Sequence, residues 1–394
     1  MTTRAHFLPA ALGFAAAAAI ALTSVLASAL PGTARAAERL PRTMAWTAYG
    51  TTSAGYAQAV AIGNMLKSKH GMSLRVLPGK NDVSRMTPLR SGRVDMCACG
   101  IAAYYAQEGV MLFARKSWGP QPIRVILTSS GTLGIGLATA ADANIRTLAD
   151  LRGKRVAWIR AGDALNRNVE AFLLFAGLGW DDVEKVQFSG FKESADGIIN
   201  DQVDAATMAT ITPHASRIAA SPRGLFWPPL PHDDAAAWAR IYVHSPYWIP
   251  HVSTTGAEVS EDRPWEGMTY PYPILVTNAD YDADTVYLLL RAMDENYADY
   301  KDSAPGAAGW ALGNQNWNWV MPIHEGAVRY LNEAGVWNAE LQAHNQALIR
   351  RQEVLAEAWQ ALAAADVDEE AFEAEWMARR AAALSATEMS VVFN

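Results

Sequence analysis

Cysteine is nearly absent: Cys97 and Cys99 are the only two in 394 residues. A disulfide framework is therefore excluded, and buried apolar area has to hold the fold together. Cationic charge is also short, with 33 Lys and Arg against 40 Asp and Glu, a formal net charge of −7. Such a chain is a poor nucleic-acid binder. The sequence has no GxSxG elbow, no HExxH pair and no P-loop, which removes the commonest hydrolase, zinc-protease and nucleotide-binding signatures. His214, His232, His244, His251 and His324 are scattered through loops and turns and form no ligand set. Beyond residue 36 no run is apolar enough to span a bilayer.

What is present begins with a leader-like segment. Arg4 precedes an alanine-rich apolar stretch from Phe7 to Leu30, and Ala34-Arg35-Ala36 places small residues two apart before Ala37. This layout predicts an exported, periplasmic protein cleaved after Ala36. Because the apolar stretch is long for a signal, a retained single-span anchor is the alternative. The whole chain is 51% hydrophobic, and the part beyond the leader is long enough for two domains.

From Thr43 the pattern reads strand, helix, strand, helix, strand: an apolar run to Tyr49, a stripe at Ala59, Ile62, Gly63 and Leu66 closed by Gly71, then "SLRVLPG", "NDVSRMTPLRSG" and "RVDMCACG". The same grammar returns in "LRGKRVAWI", "DALNRNVEAFLLFAGLG", "VEKVQF", "ESADGIIN" and "QVDAATMA". Two α/β units in tandem, each with parallel strands, are expected. The β-branched "IRVILTSSGTLGIGLATA" and the later "PYPILVTN" read as two crossings between them, which makes a hinge. The expected lobes are 37–129 with 271–337, and 130–270, followed by a helical extension over 338–394. Asp366 and Glu369 have capping-box spacing within that extension, which is expected to pack back on the lobes.

The turns at the carboxyl ends of the leading strands are the candidate site. Tyr49, Gly50, Thr51, Thr52 and Ser53 close the first strand, and unpaired helix N–H groups with short hydroxyls there suit an anion. The alternative reading of Ser53 is the N-cap of its own helix. In the second unit Trp158, Arg160, Asp163 and Asn166 lie at the equivalent strand-to-helix turn, with Thr210 after the third strand. A guanidinium at Arg160 offers bidentate recognition of a carboxylate; pairing with Asp163 is the local alternative. Cys97 and Cys99 point to one face of a strand and read three ways, as soft-metal ligands, as a bridge, or as small buried apolar groups. The 14 Trp and 13 Tyr fall largely on loops, where they can line a cleft or pack beneath it.

Between Ala45 and Trp337 the chain resembles the substrate-binding receptors of tripartite ATP-independent periplasmic (TRAP) transporters, in the TAXI branch. The resemblance rests on "MPIHEGAVRYLNEAGVW", with His324, Gly326, Ala327, Arg329, Tyr330 and Gly335, and on "YGTTSAGYAQAVAIGNML", "DLRGKRVAW" and "SPYWIP". It implies a type II periplasmic-binding-protein fold, α/β in class, with two lobes joined by a hinge. It also implies an organic acid bound between the lobes, transient contact with TRAP membrane permease subunits, and no catalysis, cofactor or metal. The ligand contacts it implies are Gly50 to Ser53, Tyr56, Tyr104 and the turn from Arg160 to Asn166. Two departures, Cys97-Ala98-Cys99-Gly100 and Arg160-Ala161-Gly162-Asp163, point to a carboxylate with an apolar or aromatic body rather than glutamate. A membrane-anchored sensor on the same fold and an exported enzyme are the rival expectations.

Overall fold

The computed structural model describes residues 39–393; the expected leader lies outside them. The chain runs β1 (Thr43–Tyr49), α1 (Ala54–His70), β2 (Ser73–Gly79), α2 (Asp82–Arg90), β3 (Met96–Cys99), α3 (Ala102–Glu108) and β4 (Ile123–Thr128). It then crosses to β5 (Ile135–Ala140), β6 (Arg155–Ile159), α4 (Asp163–Phe175), β7 (Glu184–Phe188), α5 (Phe191–Ile199), β8 (Ala205–Ala209), α6 (Pro213–Ala219), β9 (Leu225–Phe226) and α7 (Ala235–His244). A hairpin of β10 (Ile249–Ser253) and β11 (Trp265–Thr269) leads back through β12 (Ile274–Asn278) to α8 (Ala283–Glu295), α9 (Glu325–Glu333), α10 (Ala339–Ala363) and α11 (Glu369–Ala386).

Two five-stranded sheets result, β2-β1-β3-β12-β4 and β7-β6-β8-β5-β9. In each, three parallel strands are flanked by an antiparallel one supplied by a crossing segment: β12 against β3 in the first sheet, β5 against β8 in the second. This is a two-lobed α/β fold of the periplasmic-binding-protein kind, with a helical C-terminal region. The β10–β11 hairpin was not foreseen from the aromatic loops that contain it. Among the described residues no helix is long and apolar enough to cross a membrane.

Local chemistry explains the elements that frame the cleft. Ser53 caps α1, its Oγ accepting from the Tyr56 N–H at 3.2 Å, and Gly71 ends the helix at φ 67° with its N–H on the Lys67 carbonyl. Ile62 and Leu66, both fully buried, each contribute on the order of 2 kcal/mol by leaving water. Asn81 and Ser84 form a reciprocal capping box at the start of α2. Cys97 and Cys99 are joined by a disulfide, Cα atoms 5.1 Å apart, inside the buried strand β3.

The residues of the "IHEGAVRY" segment hold α9 against α8. His324 caps α9 through Nδ1, Arg329 pairs with Asp284 at 2.7 Å, and the Tyr330 hydroxyl donates to Asp294 at 2.7 Å. The extension α10–α11 packs on the first lobe around Glu108, which is fully buried and accepts from Arg351 Nε and Nη2 at 2.7 Å and from Arg380 Nη2 at 2.5 Å. Burial alone would raise the Glu108 pKa, but these two guanidinium groups outweigh it and hold the carboxyl below its usual range. Trp359, Phe372 and Trp376 form a small separate core over this junction. One expectation is corrected here: α11 is capped by Asp368, whose side chain makes no cap bond, whereas Asp366 sits in the preceding turn, where the Val367 N–H bonds the Ala365 carbonyl.

Candidate functional site

The carboxyl ends of the parallel strands in both sheets face one another across a narrow cavity. One wall is Tyr49 at the end of β1, Ser53 and Ala54 at the start of α1, and Gly100 after β3, with Tyr270 and Tyr272 from the returning crossing. The other wall is Ile135 on β5, Ala164, Leu165 and Asn168 on α4, Phe191 on α5, and Met208, Ala209 and Thr212 at the end of β8. The enclosed space is about 30 Å³, room for about two waters. No charged side chain lines it. Burial raises the phenol pKa values of Tyr49, Tyr270 and Tyr272, so all three stay neutral.

Polar contacts draw the two walls together. The loop between β2 and α2 is inserted into the second lobe: the Asp82 N–H donates to the Ala161 carbonyl at 3.1 Å, Asn81 Nδ2 to the Arg160 carbonyl at 3.2 Å, and the Phe191 N–H to the Lys80 carbonyl at 3.3 Å. Asp82 Oδ2 accepts from the Ala164 N–H at 2.8 Å, in the first turn of α4, which has no cap of its own from Gly162. Its Oδ1 accepts from Arg85 Nη2 at 2.6 Å and from the Tyr49 hydroxyl at 2.8 Å. The Arg85 guanidinium lies 3.4 Å over the Tyr49 ring. At the other side Thr52 Oγ1 is 2.6 Å from His214 Nε2, and Thr212 Oγ1 donates to the Thr52 carbonyl at 3.3 Å. Burial lowers the His214 pKa to about 4, so this ring is neutral.

Beside the cavity, a more open depression of about 290 Å³ is lined by Gly50, Thr51, Thr52, Lys80, Phe191, Lys192, Glu193 and His214, with Pro78 and Gly79. Lys192 pairs with Asp196. Phe191 borders both spaces, so the depression adjoins the cavity and is termed its mouth.

The sequence-derived candidates divide into two groups. Tyr49 and Ser53 line the cavity, and Gly50, Thr51 and Thr52 line its mouth; Ser53 both caps α1 and faces the cleft. The others are engaged elsewhere in this closed arrangement. Tyr56 packs on the core, Trp158 is half-buried in β6 beside Gln187, and Tyr104 stacks edge-on against Phe393 with centroids 5.3 Å apart. The exposed Arg160 lies within 2.7 and 2.8 Å of the Gln187 amide oxygen, in the amide orientation that satisfies both groups, rather than on Asp163. Asp163 Oδ2 accepts from the Leu112 N–H at 2.7 Å. The Asn166 amide closes on the backbone of Ile159, accepting at 2.8 Å and donating at 2.9 Å. Thr210 Oγ1 ties the β10–β11 loop to the first crossing, donating to the Thr255 carbonyl at 2.7 Å and accepting from the Gly134 N–H at 3.1 Å. Sequence reasoning missed Asp82, Arg85, Asn168, Phe191, Tyr270 and Tyr272. Only Asp82 and Arg85, three apart at the start of a helix after a strand end, carried a local signal.

Residues 47–335 match the NMT1-like family. No curated protein matches the chain. Among solved structures it is similar to an ancestral arginine-binding protein bound to arginine, at 15% identity and a TM-score of 0.41 over 69% of this chain and 99% of that one. It is similar also to the periplasmic aliphatic sulphonate binding protein SsuA from Escherichia coli, at 16% identity and TM-score 0.41 over 84% and 96%. A periplasmic binding protein from Brucella ovis with glutathione bound gives 11% identity and TM-score 0.42 over 66% and 73%.

Proposed function

This chain belongs to the NMT1-like family, and we propose that it works as an extracytoplasmic solute receptor. It holds a small organic acid with an apolar or aromatic body between its lobes and hands it to a TRAP-type membrane permease. The observation that carries the reading is the cavity itself, walled by both sheets at the carboxyl ends of their parallel strands, where open α/β folds take ligands. The closed cavity of about 30 Å³ has to widen by parting of the lobes to admit the body of the guest, against which Tyr49, Phe191, Tyr270 and Tyr272 then supply flat apolar area. Gly50 to Thr52 and Lys80 at the mouth supply donors for its carboxylate.

Function then follows from closure. The guest shifts an equilibrium between open and closed lobes by contacting both walls at once. The crossings at 129–134 and 269–273 bend while the sheets move as bodies. The permease reads the closed form, in which the rims of both lobes are in register; the TRAP assignment rests on the sequence resemblance around His324–Gly335.

A thermal-shift screen over dicarboxylates, amino acids, sulfonates and aromatic acids tests this. A ligand that binds only the folded state raises the melting temperature, by about 2.7 kcal/mol of stability at a hundredfold excess over Kd. Aromatic or apolar monoacids are expected to give the largest shifts and to be recovered unchanged. Turnover of the bound compound would support the exported-enzyme reading instead.

A further inference from the structure

We infer that Asn168 and Tyr270 together read a hydroxyl group on the ligand, so that the guest is a hydroxylated acid whose hydroxyl enters the cavity while its carboxylate stays at the mouth. This rests on the receptor reading above and narrows its ligand class.

Asn168 comes from α4 in the second lobe and Tyr270 from the returning crossing. Both line the cavity, with 2% and 4% of their surface exposed. Their one mutual contact joins α4 to the crossing: Asn168 Nδ2 donates to the Tyr270 hydroxyl oxygen at 3.3 Å. That leaves Asn168 Oδ1 with no partner among the described residues. It also leaves the Tyr270 O–H hydrogen unspent, because the hydroxyl is acting as acceptor. Turning the amide over does not alter the balance, since the phenol then donates to Oδ1 while an N–H and a phenol lone pair are left over. In either orientation the pair keeps at least one donor and one acceptor unspent, on two buried residues that line the cavity.

Buried polar groups are rarely left unmet. A carboxylate answers the donor but sets an anion beside the acceptor, and an ammonium does the reverse. A neutral hydroxyl, which donates and accepts through one atom, answers both. The charges are distributed in keeping with this: no charged side chain lines the cavity among the described residues, whereas Lys80 lies beside Thr51 and Thr52 in the neighbouring depression, whose other charges are Lys192, paired with Asp196, and Glu193. A guest with its carboxylate at the mouth and its hydroxyl against Asn168 and Tyr270 meets both environments. Sites built around such a hydrogen bond reject analogues that lack the hydroxyl far more strongly than apolar pockets reject a missing methylene.

The test is calorimetric titration of the full mature protein with acids that differ by one hydroxyl: 4-hydroxyphenylacetate and mandelate against phenylacetate, and lactate against propionate. At least one hydroxylated member is expected to bind about tenfold more tightly than its partner, and that ratio should drop below about twofold in Tyr270→Phe and in Asn168→Leu. Circular dichroism and melting of the unliganded variants establish that they fold; should Asn168→Leu fail to fold, the milder Tyr270→Phe decides. Acid binding without preference for a hydroxyl in the wild type, or a preference that survives in the folded variants, overturns the inference and leaves the receptor reading standing. Failure of every acid to bind overturns the receptor reading itself.

Discussion

Asp82 of the first lobe accepts a hydrogen bond from the backbone N–H of Ala164 in the second, 2.8 Å across the cleft. The first turn of α4 is where a parallel-strand α/β unit offers its unpaired amides and positive dipole end. In the closed molecule the chain's own carboxylate occupies that position, with Arg85 and Tyr49 behind it. Closure is therefore partly held by an internal acid. A guest carboxylate has to find its donors at the mouth or displace Asp82 from α4.

Asp82 and Arg85 are fully buried, and Arg85 Nε and Nη1 have no hydrogen-bond partner among the described residues. Removing one member of a buried pair leaves the other charge uncompensated, at a cost of about 3–5 kcal/mol. Asp82→Ala should lower stability in urea melts by that order. The double variant Asp82→Ala/Arg85→Met should regain most of it. Additive losses in the double variant would mean that the pair is not coupled in the fold.

Much of the fold was legible because its signals are local. The stripe Ala59–Ile62–Gly63–Leu66, Gly71 as stop and the repeated strand–helix–strand grammar all lie within a few residues of one another, and α1, β2 and α4 to β8 appear where those signals put them. The site was legible only where a strand end carried its own turn, as at Tyr49 to Ser53. Asn168 and Tyr270 are 102 residues apart and Asp82 and Ala164 are 82 apart, so nothing in the neighbourhood of either announces the contact. Arg160 and Asn166 were read from residue type and from their place in the strand-to-helix turn. Their side chains take partners at hand, the Gln187 amide and the Ile159 backbone, before any ligand is considered.

The extension is bolted to the first lobe by Glu108. Glu108→Gln removes the anion that compensates both Arg351 and Arg380, so a loss of about 3 kcal/mol or more is expected. Because Arg351 and Arg380 reach from α10 and α11, the loss should be local first. Limited proteolysis should cut near residues 364–367 in the variant sooner than in the wild type. Identical cleavage kinetics would show that apolar packing of Trp359, Phe372 and Trp376 alone secures the helices.

Gly326 permits the close approach of α9 to α8. A Cβ there would lie 2.1 Å from the Ala283 carbonyl oxygen, a backbone atom that cannot swing aside. Gly326→Ala is expected to destabilise the protein by about 1–3 kcal/mol through overpacking, seen as a lower melting temperature. Gly313→Ala, where a Cβ meets nothing within 4 Å, serves as the control. Equal melting temperatures would mean that the helix pair can part at little cost.

Two cleft-side groups act in opposite directions on acid stability. Burial raises the Asp163 pKa to about 6, against an ordinary value near 3.9, despite the hydrogen bond from Leu112. Between about pH 4 and 6 the folded state then holds more protons than the unfolded chain, so this group makes stability fall as pH rises. Burial, with Arg217 adding to it, lowers the His214 pKa to about 4 from an ordinary 6.5. Over about pH 4 to 6.5 the folded state holds fewer protons at that site, so His214 makes stability rise with pH and lose ground as pH falls. In the wild type the two slopes largely cancel, each being on the order of 2 kcal/mol across the window. Asp163→Asn retains an acceptor for Leu112 and removes one slope, so its melting temperature relative to wild type should climb from pH 4 to pH 6. His214→Gln should show the opposite trend over the same range. Calorimetric scans at pH 4, 5, 6 and 7 on the three proteins decide the matter, and difference curves that stay flat would show that neither group is buried strongly enough to titrate away from its ordinary pH.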